Sequence, residues 1–219
     1  MKGAHPLPKV SETRKDAVRN DILEAAGRVF KRKGYEAASM KDIVAESGRS
    51  FGGVYLYYAN KEQLFLELIG RVYREMNESA EGGEGTAPWE AVGRFLRDQL
   101  ARAADADNGL APVLYEYLIV GRKEERRMKL IGERHDAVFG AIERLLRSGA
   151  EAGTFRPTIP VEAIALTVMS FLDGMFFESI VSGPERIRLD DQFRVLSDML
   201  RSVLMPGEAS AVTEEGNPE

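Results

Sequence analysis

The chain has 219 residues, 44% hydrophobic and 30% charged, enough to bury a substantial core under a soluble, helix-rich surface as one large domain or a small domain joined to a larger one. The absence of cysteine excludes a disulfide framework and a thiolate metal site. The net charge of −5 is unevenly spread: residues 1–62 carry 12 Lys/Arg against 8 Asp/Glu, and the remainder is acidic, which fits one end meeting phosphates as well as it fits an ordinary mixed-charge surface.

Residues 1–13 have no apolar periodicity, are proline-rich around Pro6 and Pro8, and are expected to be a disordered arm. No N-terminal run resembles a signal peptide, and no apolar stretch reads as long and uninterrupted enough to span a bilayer, so a cytoplasmic protein without a membrane partner is expected. A first helix opens at Arg14, Lys15 and Arg19. It carries Ile22, Ala26, Val29 and Phe30 on one face and stops at Gly34. Ser39 is the N-cap of a second helix, with Asp42 three residues on in a capping-box arrangement and Gly48 at its end. Ser50 caps a third short helix carrying Val54, Tyr55 and Tyr58. Asn60 caps a fourth, with Gln63 at the reciprocal position and Leu64, Phe65, Leu68, Ile69 and Val72 on its apolar side.

After a Gly/Glu loop at 81–86, Pro88 opens a helix with Trp89, Val92, Phe95, Leu96 and Leu100. A short helix follows from Pro112 to Val120, then a long one from about Arg122 to Ala152. Val161 to Ser182 is strongly apolar, and Leu189 to Leu204 is the last helix; residues 206–219 are acidic and expected to be disordered. No segment alternates with period two. The expected fold is all-α, about nine helices, divided into residues 14–62 and residues 63–205.

Two helices of about two turns joined at a sharp glycine turn form a helix-turn-helix pattern. Ser50 and the amides beside it suit phosphates. Gly52 and Gly53 weaken their helix by about 1 kcal/mol each. Either the backbone approaches DNA closely there, or it packs closely against a neighbouring helix.

Residues 19–69 resemble the DNA-binding region of the tetracycline-repressor-like (TetR) family. The resemblance rests on Ile22-Leu-Glu-Ala25-Ala26, Phe30 through Gly34, Ser39 with Ile43-Val44-Ala45, Gly48-Arg-Ser50-Phe-Gly52, Tyr55-Leu-Tyr57-Tyr58 and Lys61-Glu62-Gln-Leu64. It implies a DNA-binding set of Ser39, Lys41, Arg49, Ser50, Phe51, Gly52, Tyr55, Tyr57 and Lys61, with Lys61 gripping a phosphate. Ser39 is explained equally by capping. Tyr58 stands where the family has Phe and reads as core. Arg49 replaces a small apolar residue in the turn and either points to phosphates or snorkels. Phe51 either packs on a thymine methyl or stays against protein.

The same resemblance implies a dimer and a small-molecule sensor in the remainder. Val168, Leu172, Met175, Phe193, Leu196 and Leu200 are the expected dimer residues. Trp89, Phe95, Tyr115, Tyr117, Phe139, Met169, Asp173, Phe176 and Phe177 are candidate pocket walls, although a plain core role is the commoner one for such aromatic and apolar residues. Asp173 within an apolar helix needs a partner, such as Arg122, Arg134 or a ligand amine. A single histidine in the folded part, His135, makes no convincing metal site, and no catalytic constellation appears. The expected function is a one-component repressor that binds a (pseudo)palindromic duplex operator as a homodimer. An apolar or amphipathic effector would release it, through the fourth helix as lever, and no cofactor is required. The alternatives are an activator or non-sensing DNA binder of the same fold, and a small-molecule carrier without DNA binding.

Overall fold

The computed structural model describes residues 12–81 and 85–205, and among them there are nine α-helices, one 3-10 turn and no strand. The all-α expectation is borne out. The expected arm reached Thr13, but the first helix already includes Glu12 and Thr13; residues 1–11 and 206–219 lie outside the described residues. The described residues form two compact units that divide between Gly70 and Arg71.

The first unit contains α1 (Glu12–Lys33), α2 (Met40–Ser47), α3 (Phe51–Tyr55) and the start of α4 (Lys61–Glu81). The apolar stripe Ile22, Ala26, Val29 and Phe30 is fully buried, as its helical spacing demands, together with Leu23 and Ala25. Ser39 caps α2 through a complete capping box: the Asp42 amide donates to Ser39 Oγ at 3.2 Å, and the Ser39 amide donates to Asp42 Oδ2 at 3.0 Å. Gly48 ends α2 at φ 64, a left-handed conformation that glycine adopts without the Cβ clash of other residues, and so permits the abrupt turn into α3. At the head of α4 the Gln63 amide donates to Asn60 Oδ1 at 2.9 Å, and Gln63 Oε1 accepts from the Ala59 amide at 3.0 Å.

The second unit holds the rest of α4, then α5 (Pro88–Ala104), the 3-10 turn Ala106–Asn108, α6 (Ala111–Val120), α7 (Glu125–Glu151), α8 (Val161–Ser182) and α9 (Leu189–Leu204). Helices α5, α7, α8 and α9 pack together around one core. By length and apolar composition α8 is, among the described residues, the one helix that could cross a bilayer, which the sequence reading did not anticipate. Its buried side (Ile164, Val168, Leu172, Met175) belongs to that core. The amides of Arg156 and Thr158 donate to the carbonyls of Leu204 and Val203 at 2.7 and 3.1 Å, satisfying groups that the end of α9 leaves without helical partners. This also lays α9 antiparallel beside α8.

The turn after α7 is shaped by two glycines. Gly153 is left-handed (φ 71), and Phe155, only 2% exposed, folds back over Gly149. A Cβ on Gly149 would lie 2.1 Å from the Phe155 ring. Gly149→Ala is therefore expected to lower stability by about 1–3 kcal/mol, the usual cost of overpacking, even though alanine is the better helix former; an unchanged denaturant midpoint would show that the ring has somewhere else to go.

Candidate nucleic-acid interface

The first unit is held by an aromatic knot. Phe30, Tyr35 and Phe65 pack with centroid separations of 5.8, 5.5 and 5.0 Å, from α1, the following loop and α4. Lys61 closes it: its ammonium lies 4.5 Å from the Tyr35 ring centroid and donates to the carbonyls of Tyr35, Glu36 and Ala38 at 2.7, 3.0 and 3.0 Å. An ammonium has three donors, and all three are used. Lys61 thus clamps α4 to the loop that launches α2, which corrects its expected role as a phosphate grip.

Arg49 is corrected in the same way. Its guanidinium donates to Asp21 Oδ2 of α1 at 2.6 Å, and its Nε is buried, so it ties the turn to α1 rather than pointing outward. The positive charge of the unit is similarly engaged. Arg28 and Arg32 both pair with Glu46 of α2, at 2.8 and 2.9 Å, and hold its carboxyl below the usual range. Lys33 pairs with Asp42 at 2.7 Å; that ammonium first, then Ser39, draws the Asp42 carboxyl down to about 2. Exposed pairs of this kind each contribute little, but together they fix α2 against α1.

Tyr58 is fully buried, as expected of a core residue, and burial pushes its phenol up. Arg19 lies over its ring at 5.4 Å and pairs with Glu67 at 2.9 Å. The remaining expected residues differ in exposure. Ser39, Lys41, Ser50, Phe51, Gly52 and Tyr55 are exposed and Tyr57 is half-buried. Ser39 and Ser50 spend their hydroxyls on capping, Ser50 Oγ accepting from the Gly53 amide at 3.1 Å. A Cβ on Gly52 would meet nothing within 4 Å, whereas one on Gly53 would lie 3.2 Å from Ser50 Oγ. No protein packing therefore requires glycine at 52. Leu56, missed by the sequence reading, is 78% exposed beside Tyr55; an apolar residue between the two tyrosines was the available signal.

In the second unit the expected pocket does not form one lining. Phe95, Tyr117 and Met169 are core, while Trp89, Phe139 and Phe176 are half-buried against it. Trp89 packs edge-on against Phe155, and Tyr117 lies under Arg127 at 4.5 Å. Asp173 is exposed, so its place in an apolar helix carries no burial cost. Of its expected partners, Arg122 donates to the Ile119 carbonyl, and the Arg134 side chain lies outside the described residues. Tyr115 donates to the Asp173 carbonyl at 3.0 Å and meets Phe177 edge-on, and its phenol is pushed up to about 12 by burial first and then by the Asp173 charge. An open cleft of about 270 Å³ lies elsewhere, between Arg97, Leu100 and Ala104 of α5 and Pro184 and Leu189 around the α8–α9 turn.

Two buried polar residues went unnoticed in the sequence. Gln99 (2% exposed) and Ser179 (3%) stand in the core stripes of α5 and α8, and Gln99 Nε2 and Ser179 Oγ have no hydrogen-bond partner. Their positions in the helical spacing of Val92, Phe95, Leu96 and of Leu172, Met175 made both legible.

The expected dimer residues are also corrected. Val168, Leu172, Met175, Phe193, Leu196 and Leu200 are at most 6% exposed and fill the protomer's own core, so none is left to meet a second chain. The opposite faces carry the exposed apolar side chains: Leu166, Phe177 and Val181 on α8, Val195 and Met199 on α9.

The sequence profile of bacterial regulatory proteins of the tetR family matches residues 22–68, and that of the tetracyclin repressor-like C-terminal domain matches residues 91–190. An uncharacterised HTH-type transcriptional regulator of Bacillus subtilis, YfiR, is 34% identical over 92% of this chain and 98% of its own length. The chain belongs to the tetR family of transcription regulators. The HTH-type transcriptional repressor AcnR of Corynebacterium diphtheriae is 28% identical over 90% of this chain and 98% of its own. Among solved structures, the SmeT–triclosan complex superposes with a TM-score of 0.70 at 20% identity, covering 93% of this chain and all of that one; SmeT is described as the repressor of the Stenotrophomonas maltophilia multidrug efflux pump SmeDEF. The helix-turn-helix of this tetR-family regulator is thus α2, the Gly48 turn and α3.

Since the Lys61 clamp is structural, Lys61→Met is expected to lower the stability of the first unit by about 2 kcal/mol, the scale of hydrogen bonds to a charged donor left unmade. Amide hydrogen exchange in α2 and α3 would report it; protection equal to the parent protein's would return Lys61 to the surface role.

Proposed function

We propose that this tetR-family regulator is a ligand-released repressor that binds a pseudopalindromic operator as a homodimer in the cytoplasm. The observation that carries the DNA-binding part is the open face at Gly52. A glycine inside a helix is costly, nothing in the protein needs it there, and a phosphate–sugar backbone or base edge approaching the chain at that point would. Lys41, exposed on the first turn of α2, supplies a phosphate contact, and Ser50, Tyr55 and Tyr57 border the same face. Two such units one DNA turn apart would read half-sites roughly 34–36 Å apart.

The experiment is fluorescence anisotropy of the purified protein on its own upstream intergenic DNA across a salt series, which reads sequence-selective binding and the number of phosphates engaged. Gly52→Ala separates the two accounts of that glycine. It is expected to raise stability by about 0.5–1 kcal/mol while weakening operator binding on the order of tenfold. A stabilised variant that binds as tightly as the parent protein would remove close backbone approach from the mechanism.

Dimerisation is assigned to the exposed faces of α8 and α9. Leu166, Phe177, Val181, Val195 and Met199 form apolar surface on two adjacent helices of one unit, the kind of patch that monomers rarely leave open. Val181→Glu combined with Met199→Glu should convert a dimer to a folded monomer in sedimentation equilibrium, because both side chains lie outside the protomer core; an unchanged mass would place the interface elsewhere.

For the effector, the supporting observation is the pair of unpartnered buried atoms, Gln99 Nε2 and Ser179 Oγ, within an otherwise apolar core. An amphipathic molecule that offers them a hydrogen bond and buries its apolar part among α5 and α8 suits that chemistry. Release requires only that it bind a DNA-incompetent state better, and a coupling of about 1–3 kcal/mol weakens operator binding roughly 5- to 150-fold. The fourth helix, which begins in one unit and ends in the other, is the covalent route for that coupling.

A further inference from the structure

The recognition helix is unusual in what it lacks. From Phe51 to Tyr55 it reads Phe-Gly-Gly-Val-Tyr, without the Arg, Lys, Asn or Gln side chains that make paired hydrogen bonds to guanine or adenine in the major groove. Val54 is fully buried. What α3 and its C-cap hold toward solvent is apolar: Phe51 is 53% exposed, Tyr55 48% and Leu56 78%. The Phe51 and Tyr55 rings lie nearly parallel, 13° apart with centroids separated by 6.4 Å. Phe51 is therefore propped outward on Tyr55 rather than folded into the protein. Leu56, directly after at the C-cap, is a third exposed apolar side chain.

An apolar surface set on a DNA-reading element has one complementary feature in the major groove, the C5 methyl of thymine. We propose that this regulator selects its operator through thymine methyl groups, with Phe51 and Leu56 as the specificity-determining residues and Tyr55 as the prop that orients Phe51. The proposal rests on the operator-binding reading above and deepens it: affinity comes from phosphate contacts such as that of Lys41, and discrimination between sequences comes from apolar contact.

Replacement of thymine by deoxyuridine tests this directly, since it removes the methyl and leaves the O4 acceptor and base pairing unchanged. The full-length protein first selects its preferred duplex from a randomised library. That duplex is then resynthesised with each thymine replaced singly by deoxyuridine and titrated by anisotropy. Binding is expected to weaken roughly fourfold for each contacted methyl, at one or two thymines per half-site. Phe51→Ala and Leu56→Ala should each abolish the deoxyuridine effect at one of those positions; both residues are exposed, so the variants remain folded, which circular dichroism checks. An enriched duplex whose deoxyuridine versions bind as tightly as the parent overturns the proposal while leaving operator binding intact. If no sequence is enriched, operator binding itself fails, and this proposal with it.

Discussion

The three hydrogen bonds from the Lys61 ammonium to the carbonyls of Tyr35, Glu36 and Ala38 tie the head of α4 to the loop that leads into α2. Those carbonyls belong to the loop that leaves α1 and leads into α2. A cation that donates to three of these carbonyls at once restrains the path of the loop. Once that path is fixed, Ser39 arrives where it can cap α2, the capping box sets the start of the helix, and the left-handed turn at Gly48 sets the departure of α3. The buried aromatic knot of Phe30, Tyr35 and Phe65 packs beside the clamp, with the Lys61 ammonium over the Tyr35 ring. A lysine on the following helix thus joins the α1–α2 ion pairs in setting the position of the helix-turn-helix.

Electrostatics in this unit serve cohesion before recognition. Arg28, Arg32 and Lys33 lie on the last turns of α1, where they also complement the helix dipole, and they are drawn onto Glu46 and Asp42 of α2. Arg49 is drawn onto Asp21. A surplus of positive residues in the sequence therefore translates into fewer free cations than a charge count suggests. The consequence is a reading surface that is short of charge and rich in aromatic and aliphatic side chains, with Lys41 as an exposed cation at its edge.

How much of this was legible in the sequence follows the physics of each feature. Helix number and the capping signals at Ser39, Asn60, Pro88 and Gly153 were readable because they depend on local chemistry. The core reading of Tyr58 came from the resemblance, where the family has Phe, and the residue is fully buried. Lys61 and Arg49 were misassigned because their partners lie 23–28 residues away in sequence, and a cation in a DNA-binding motif looks the same whether it meets a phosphate or a carbonyl. The dimer residues failed for a different reason. Helix α8 is apolar on two sides, and periodicity cannot say which side faces the protomer's own core. The larger and more regular stripe, Val168, Leu172 and Met175, packs inside; the sparser one, Leu166, Phe177 and Val181, is left outside.

That sparser stripe has a consequence for how the two units share work. Small residues, Ser170 and Gly174, separate the exposed apolar side chains of α8, and a Cβ on Gly174 would meet nothing in the protomer. The face is therefore shallow enough for another helix to approach closely. The same helix carries Ser179 on its inner side, buried and without a partner. On the assignments proposed above, α8 carries the dimer surface on one side and an unsatisfied polar atom on the other. A molecule that hydrogen-bonds Ser179 and Gln99 from within would act on α8, and a displacement of α8 would also displace the proposed dimer surface. Under those proposed assignments sensing and dimer geometry would need no long relay, because the thickness of one helix separates them.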